Sequence, residues 1–371
     1  LLRTFGAPAV LTVAAVGAGL LLGGPTTAAV VLLLGVLEVS LSFDNAIVNA
    51  RVLATMSPVW QKLFLTVGIV IAVFGVRLVL PVLVVAATAH LSIPDVTRLA
   101  VNDPTAYGNA LADARHAIYA FGGSFLLMLF LDFVLDPERD VRWLTWLETP
   151  LAAIGRLDQL SVVVALGAIL GMSRLTGQHD QVTVLVAGLA GLVVYLLVNG
   201  VAELFEGRLE GAADPRAAAG GVTRVRDMTR PVFTAGIATF VYLEVLDASF
   251  SFDGVIGAFA LSDEVAVIAL GLGIGALWIR SLTLYLVRQG TLSEYIYLEH
   301  GAHWAIGALA VIMLLEVRYE VPELVTGLVG VAFIALAMGS SLLERRRRPR
   351  TLPGGRADPA ADAAHVGAPS G

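Results

Sequence analysis

A short acidic stretch occurs twice in this chain, each time inside an apolar run of hydrocarbon length. Residues 38–48 read Glu-Val-Ser-Leu-Ser-Phe-Asp-Asn-Ala-Ile-Val, and residues 247–257 read Asp-Ala-Ser-Phe-Ser-Phe-Asp-Gly-Val-Ile-Gly. Aligning Asp44 on Asp253 also aligns Glu38 on Asp247, Ser40 on Ser249, Ser42 on Ser251 and Phe43 on Phe252. The surrounding runs, 28–50 and 232–261, are long enough to cross a bilayer. A carboxylate at that depth costs roughly 2.5–3.5 kcal/mol on insertion scales, so intramembrane acids mark ion or substrate pathways. Glu38, Asp44, Glu244, Asp247 and Asp253 make five of them at matched places.

The remaining chain fits a polytopic membrane protein: 57% of residues are hydrophobic and mean hydropathy is +0.82. Hydrophobic runs predict ten spans, at 8–23, 27–50, 62–88, 116–135, 159–174, 181–202, 231–260, 264–288, 301–316 and 322–343. Of the 24 Lys and Arg, 18 fall on the side shared by both termini and the loops after even-numbered spans. Four lie opposite (Arg98, Arg115, Arg174, Arg318), and Arg77 and Arg280 lie inside spans. By the positive-inside rule both termini are cytoplasmic, in a multi-pass protein of the inner (plasma) membrane. Cysteine is absent, which removes disulfides and thiolate chemistry, and no basic face suits nucleic acid.

The expected fold is all-α, with about ten transmembrane helices and two inverted three-helix repeats. Its parts are an N-terminal span or signal-like segment (1–26), a first membrane repeat (27–136) and a connecting region (137–204). A cytoplasmic linker (205–230), a second membrane repeat (231–343) and a disordered cytoplasmic tail (344–371) follow. Within 137–204, residues 138–157 read as an amphipathic helix at the interface. Residues 89–115, with Pro94 and Pro104, read as an outside loop. The repeat reaches beyond the acidic motif. His116 and His300 each precede a glycine by seven residues (Gly123, Gly307) and an acid by sixteen (Asp132, Glu316). Arg77 and Arg280 each fall in the span after a motif span. The motif spans are second and seventh, so they cross in opposite directions, as in many secondary transporters.

The chemistry of the motif is that of oxygen ligands. On a continuous helix, residues six apart are about 9 Å apart along the axis and about 120° apart around it, so Glu38 and Asp44 would not share an ion. An unwound Ser-rich turn would bring them together with freed carbonyls. Ser40, Ser42, Ser249, Ser251 and Asn45 add further oxygens, whereas Gly254, in the place of Asn45, offers close backbone approach. Such a set suits a hard divalent cation: Mn²⁺, Ca²⁺ or Mg²⁺. Arg77 and Arg280 pair with the acids, either as tethered cations that replace the metal or as structural ion pairs. His116 and His300 sit at span ends as capping or solvated residues, and titration near neutral pH would also suit proton coupling.

The stretches Glu38–Ala46 and Tyr242–Ala260 resemble the TerC family of bacterial integral membrane proteins, within the superfamily of LysE-type exporters. The stretch Tyr297–His303 resembles its YkoY-like branch. The resemblance implies efflux of Mn²⁺ or a similar ion, with links to tellurium resistance. The expected function is a secondary transporter, not an enzyme, with proton or sodium as coupling ion and no cofactor beyond the transported cation. Alternatives are a membrane scaffold in a metal or tellurite stress-response complex, and an intramembrane aspartyl protease using Asp44 and Asp253. The protease leaves Glu38, Glu244, Asp247 and both arginines without a role.

Overall fold

In the computed structural model, the residues described are 2–157, 159–178, 180–212, 236–248, 254–255, 258, 261–262, 264–289, 295–319 and 321–347. All of their regular structure is helical. Seven of the described helices are long and apolar enough to cross a membrane, and the chain is a polytopic membrane protein. The first, α1 (Leu2–Leu41), is two arms rather than one rod. The chain reverses at Gly23 and Gly24, where Gly24 takes φ +78°, a region open to glycine and costly for other residues. A Cβ on Gly19 would lie 3.1 Å from Val31 Cγ2, although a continuous helix would hold those residues about 18 Å apart. The spans expected at 8–23 and 27–50 therefore form a hairpin, and its first arm packs on α12 (Val265–Gln289). There Phe5 stacks on Trp278, whose indole nitrogen donates to Thr12 Oγ1 at 3.0 Å.

After α1 come α2 (Phe43–Thr55), α3 (Pro58–Val70), a π-helical stretch (Ile71–Val79) and α4 (Leu80–Thr88). The segment expected to be a loop over 89–115 instead holds two short helices, α5 (Ile93–Asn102) and α6 (Pro104–Asp113). Ser92 and Asp103 cap them, accepting from the amides of Asp95 and Ala106, and each has proline in its first turn. Their apolar faces, including Val96, Tyr107 and Leu111, pack with Ile118, Leu34 and Leu272.

The main core surrounds α7 (Arg115–Val134), buried along almost its whole length against α10 (Gln181–Ala212) and α13 (Leu298–Glu316). α8 (Thr145–Ile154), α9 (Leu160–Leu175), α11 (residues 236–248) and α14 (Glu323–Arg347) complete the described helices. α9, at 16 residues, is shorter than the other spans. α10 continues as helix to Ala212, so the first part of the expected linker is helical. The rest of that linker and the tail beyond 347 lie outside the described residues.

The segment read as an interfacial amphipathic helix over 138–157 holds α8 over Thr145–Ile154. Its Glu148 is buried and accepts from Trp304 Nε1 at 2.8 Å and from the Trp143 amide at 2.9 Å, with His300 Nε2 at 3.7 Å. The helix is thereby docked on the start of α13.

Packing between the halves is reciprocal. A Cβ on Gly123 of α7 would meet Leu314 of α13, and a Cβ on Gly307 of α13 would meet Phe130 of α7. Phe130 and Leu314 each stand seven residues after their glycine, so the two contacts are the same contact exchanged between repeats. A two-fold relation between like surfaces produces this pattern.

Candidate functional site

The first copy of the acidic stretch, residues 38–48, does not unwind. Only Ser42 leaves helical geometry (φ −102°, ψ 15°), and backbone bonds from Ser42 N to Glu38 O and from Ala46 N to Ser42 O carry the chain across it. With the Glu38 and Ser42 carbonyls still bonded, the stretch keeps Glu38 and Asp44 on different faces, as a nearly continuous helix requires. The convergence expected of an unwound turn is absent.

Glu38, 1% exposed, forms an ion pair with Arg77 and accepts from Ser42 Oγ at 2.9 Å. Arg77 is steadied from within its own π-helical stretch, donating to Ala72 O at 2.7 Å. Such stretches recur at functional sites, where they re-aim a side chain. In the second half Arg280, 2% exposed, grips Glu244 through both carboxylate oxygens at 3.1 Å. It reaches Asp247 Oδ2 at 3.2 Å and Phe64 O at 2.9 Å, with its guanidinium 4.0 Å above the Phe64 ring. The bidentate and stacked geometry is specific to arginine.

These pairs obey the repeat. Glu38 is equivalent to Asp247 and Arg77 to Arg280, and each acid meets the arginine of its own half. Across the halves, Asn45 Nδ2 donates to Asp247 Oδ1 at 2.8 Å. The equivalent of Asn45 is Gly254, where a Cβ would stand 2.9 Å from Glu38 Oε2. The exchanged contact is thus made on both sides of the interface, with glycine supplying room where asparagine supplies a donor.

Asp44 goes elsewhere. It is buried in the first turn of α2 and, with Ser40 and Thr326, lines a narrow crevice against α13 and α14. No described ion pair joins it to either arginine. Ser40 is exposed and bonds back to Val36 O. Asp253, Ser249 and Ser251 lie outside the described residues.

The histidines do not join the acids. His116 sits at the start of α7, with Nδ1 4.0 Å from Asp180 Oδ2. His300 is buried against α8 at the opposite end of α7, with Nε2 2.8 Å from Val141 O, so it is not solvated. Sequence reasoning missed Glu148 and Asn49, a buried residue one turn beyond Asn45. The turn spacing from Asn45 was the available signal for Asn49.

The site has unspent oxygen. Among the described residues, Glu38 Oε2, Asn45 Oδ1 and Asn49 Oδ1 are buried with no hydrogen-bond partner. Buried acceptors of this kind are uncommon and cost about 1–3 kcal/mol each. Among the same residues, no three acids or histidines stand close enough to hold a metal ion. The arginines occupy the carboxylates instead.

Residues 43–348 match the family described as Protein of unknown function (DUF475). The chain belongs to the DUF475 family. An uncharacterised membrane protein of Bacillus subtilis, YceF, is 31% identical over 123 residues, or 32% of this chain and 47% of YceF. This DUF475 chain therefore spans about half the length of the curated relative it matches. No solved structure matches it.

Proposed function

We propose that this DUF475 protein is a secondary transporter that exports a divalent metal cation, Mn²⁺ in first place, by alternating access. One observation carries the reading. The motif spans bury four acids, Glu38, Asp44, Glu244 and Asp247, against only two buried arginines, which contact Glu38, Glu244 and Asp247 while Asp44 lies on another face. If all are ionised, that leaves two negative charges, the complement of one divalent ion, in an oxygen-only environment. The resemblance of the acidic stretches to the TerC family supports the same reading.

Arg77 and Arg280 then act as resident counter-charges that hold the acids in the ion-free state and yield them as the cation enters. Exchange between halves related by a two-fold axis in the membrane plane presents the site to either side. Proton or sodium is the coupling ion. Residues of three basic loops or their borders, Arg51, Arg139 and Glu299, meet at one end of the bundle. That end is assigned to the cytoplasm of the inner membrane.

The test is uptake or release of Mn²⁺ by the full chain in proteoliposomes, followed with an enclosed fluorescent indicator. Metal flux in the parent and its loss in Glu38→Gln and Asp247→Asn are expected. Flux equal to that of empty liposomes would contradict the proposal.

A further inference from the structure

Four residues of α2, Asn45, Val48, Asn49 and Val52, follow the spacing that puts side chains on one helix face. Asn45 begins this stripe at the inter-half contact with Asp247. Val48 and Val52 line a cavity of about 400 Å³, on whose wall Tyr242 of α11, Asp132 and Asn199 also stand. Liquid water takes about 30 Å³ per molecule, so the cavity has room for a hydrated ion. Tyr242 lies just over one turn before Asp247 on α11, so both motif helices run from the buried acids to this cavity.

Asn49 stands between the two ends of the stripe. It is 2% exposed, and its Oδ1 has no hydrogen-bond partner among the described residues, like Asn45 Oδ1 one turn away. Two buried amide oxygens in succession are poorly placed for packing and well placed for a hard cation, which takes amide oxygens as ligands. At the far end of the cavity Glu299 bonds Arg51 Nη1 at 3.0 Å and Arg139 Nη1 at 3.4 Å. These charges keep that end polar.

We propose that this cavity is the aqueous branch through which a hydrated divalent cation reaches the buried acids, with Asn49 Oδ1 as its ligand between cavity and site. The inference deepens the cation reading and rests on it. Asn49 acts on the cargo in transit, whereas Asn45 and the acids hold it at the centre. Val48 and Val52 flank Asn49 on this face, so between the cavity and Asn45 the stripe offers the ion Asn49 Oδ1 and passage is stepwise from one amide to the next.

The chain has no cysteine, so single-cysteine variants report cleanly. Val52→Cys, Asn49→Cys and Val70→Cys, the last on an exposed apolar face of α3, would be treated with a membrane-impermeant hydrophilic thiol reagent. Full-length protein in vesicles of known orientation is used. Positions 52 and 49 are expected to react from the side that carries Arg51, position 70 to stay unreactive, and Mn²⁺ to slow reaction at position 52, where the ligand Asn49 is kept. Asn49→Leu should weaken Mn²⁺ binding about tenfold or more, and Asn49→Asp should retain it. No reaction at 49 and 52 overturns the proposal. So does reaction at 52 that Mn²⁺ leaves unchanged while the parent binds Mn²⁺ in a thermal-shift assay. Failure of the parent itself to bind Mn²⁺ overturns the underlying cation reading, and is seen before any variant is made.

Discussion

Asn45 donates its side-chain amide to Asp247 across the two halves at 2.8 Å, both residues being at most 5% exposed. The bond ties the acid of one repeat to the helix of the other, at the place where Gly254 meets Glu38 in the exchanged contact. Asn45→Ala leaves Asp247 Oδ1 without its donor and is expected to destabilise the metal-free protein by about 1–3 kcal/mol. Asn45→Asp sets a carboxylate against Asp247 and should destabilise it further, with Mn²⁺ restoring more of the loss than in the parent. Thermal unfolding in detergent, with and without Mn²⁺, measures both.

The two arginines carry unequal loads. Arg280 serves Glu244 and Asp247, whereas Arg77 serves Glu38 alone. Removing one partner of a buried pair costs about 3–5 kcal/mol. Arg280→Gln is therefore expected to lower the melting temperature more than Arg77→Gln. Added divalent cation should recover part of each loss, since it supplies the missing charge. Equal losses without metal rescue would mean that the pairs serve packing only.

The reciprocal glycines give a test of the repeat that does not involve metal. An alanine at Gly123 would crowd Leu314, and one at Gly307 would crowd Phe130. Each substitution is expected to cost about 1–3 kcal/mol, as overpacking does. Leu314→Ala should relieve Gly123→Ala but not Gly307→Ala, and Phe130→Ala should do the converse. Double-mutant cycles on the four positions read the coupling directly.

Much of this was legible in the sequence because charge at membrane depth has few options. Glu38 with Arg77, and Asp247 with Arg280, pair as their burial demands, and the matched glycines marked the helices that meet. The orientation of Asp44 was not legible. It depends on whether the chain unwinds between two serines, and the structure settles that with one non-helical residue at Ser42. Glu148 was hidden for another reason. A glutamate among Arg, Asp and Trp reads as solvated until Trp304, from a distant helix, arrives to bond it. The helices α5 and α6 did carry their signals, Ser92 and Asp103 before prolines, but the same residues also begin loops.

The central claim is that one divalent ion is held between the halves by acids of both. Equilibrium Mn²⁺ stoichiometry on the purified full chain, beside Glu38→Gln, Asp247→Asn and the double variant, tests it most directly. One ion per chain in the parent, and none in either single variant or the double, is expected. Two ions in the parent with one kept by each single variant, or binding unchanged in all four proteins, would contradict it.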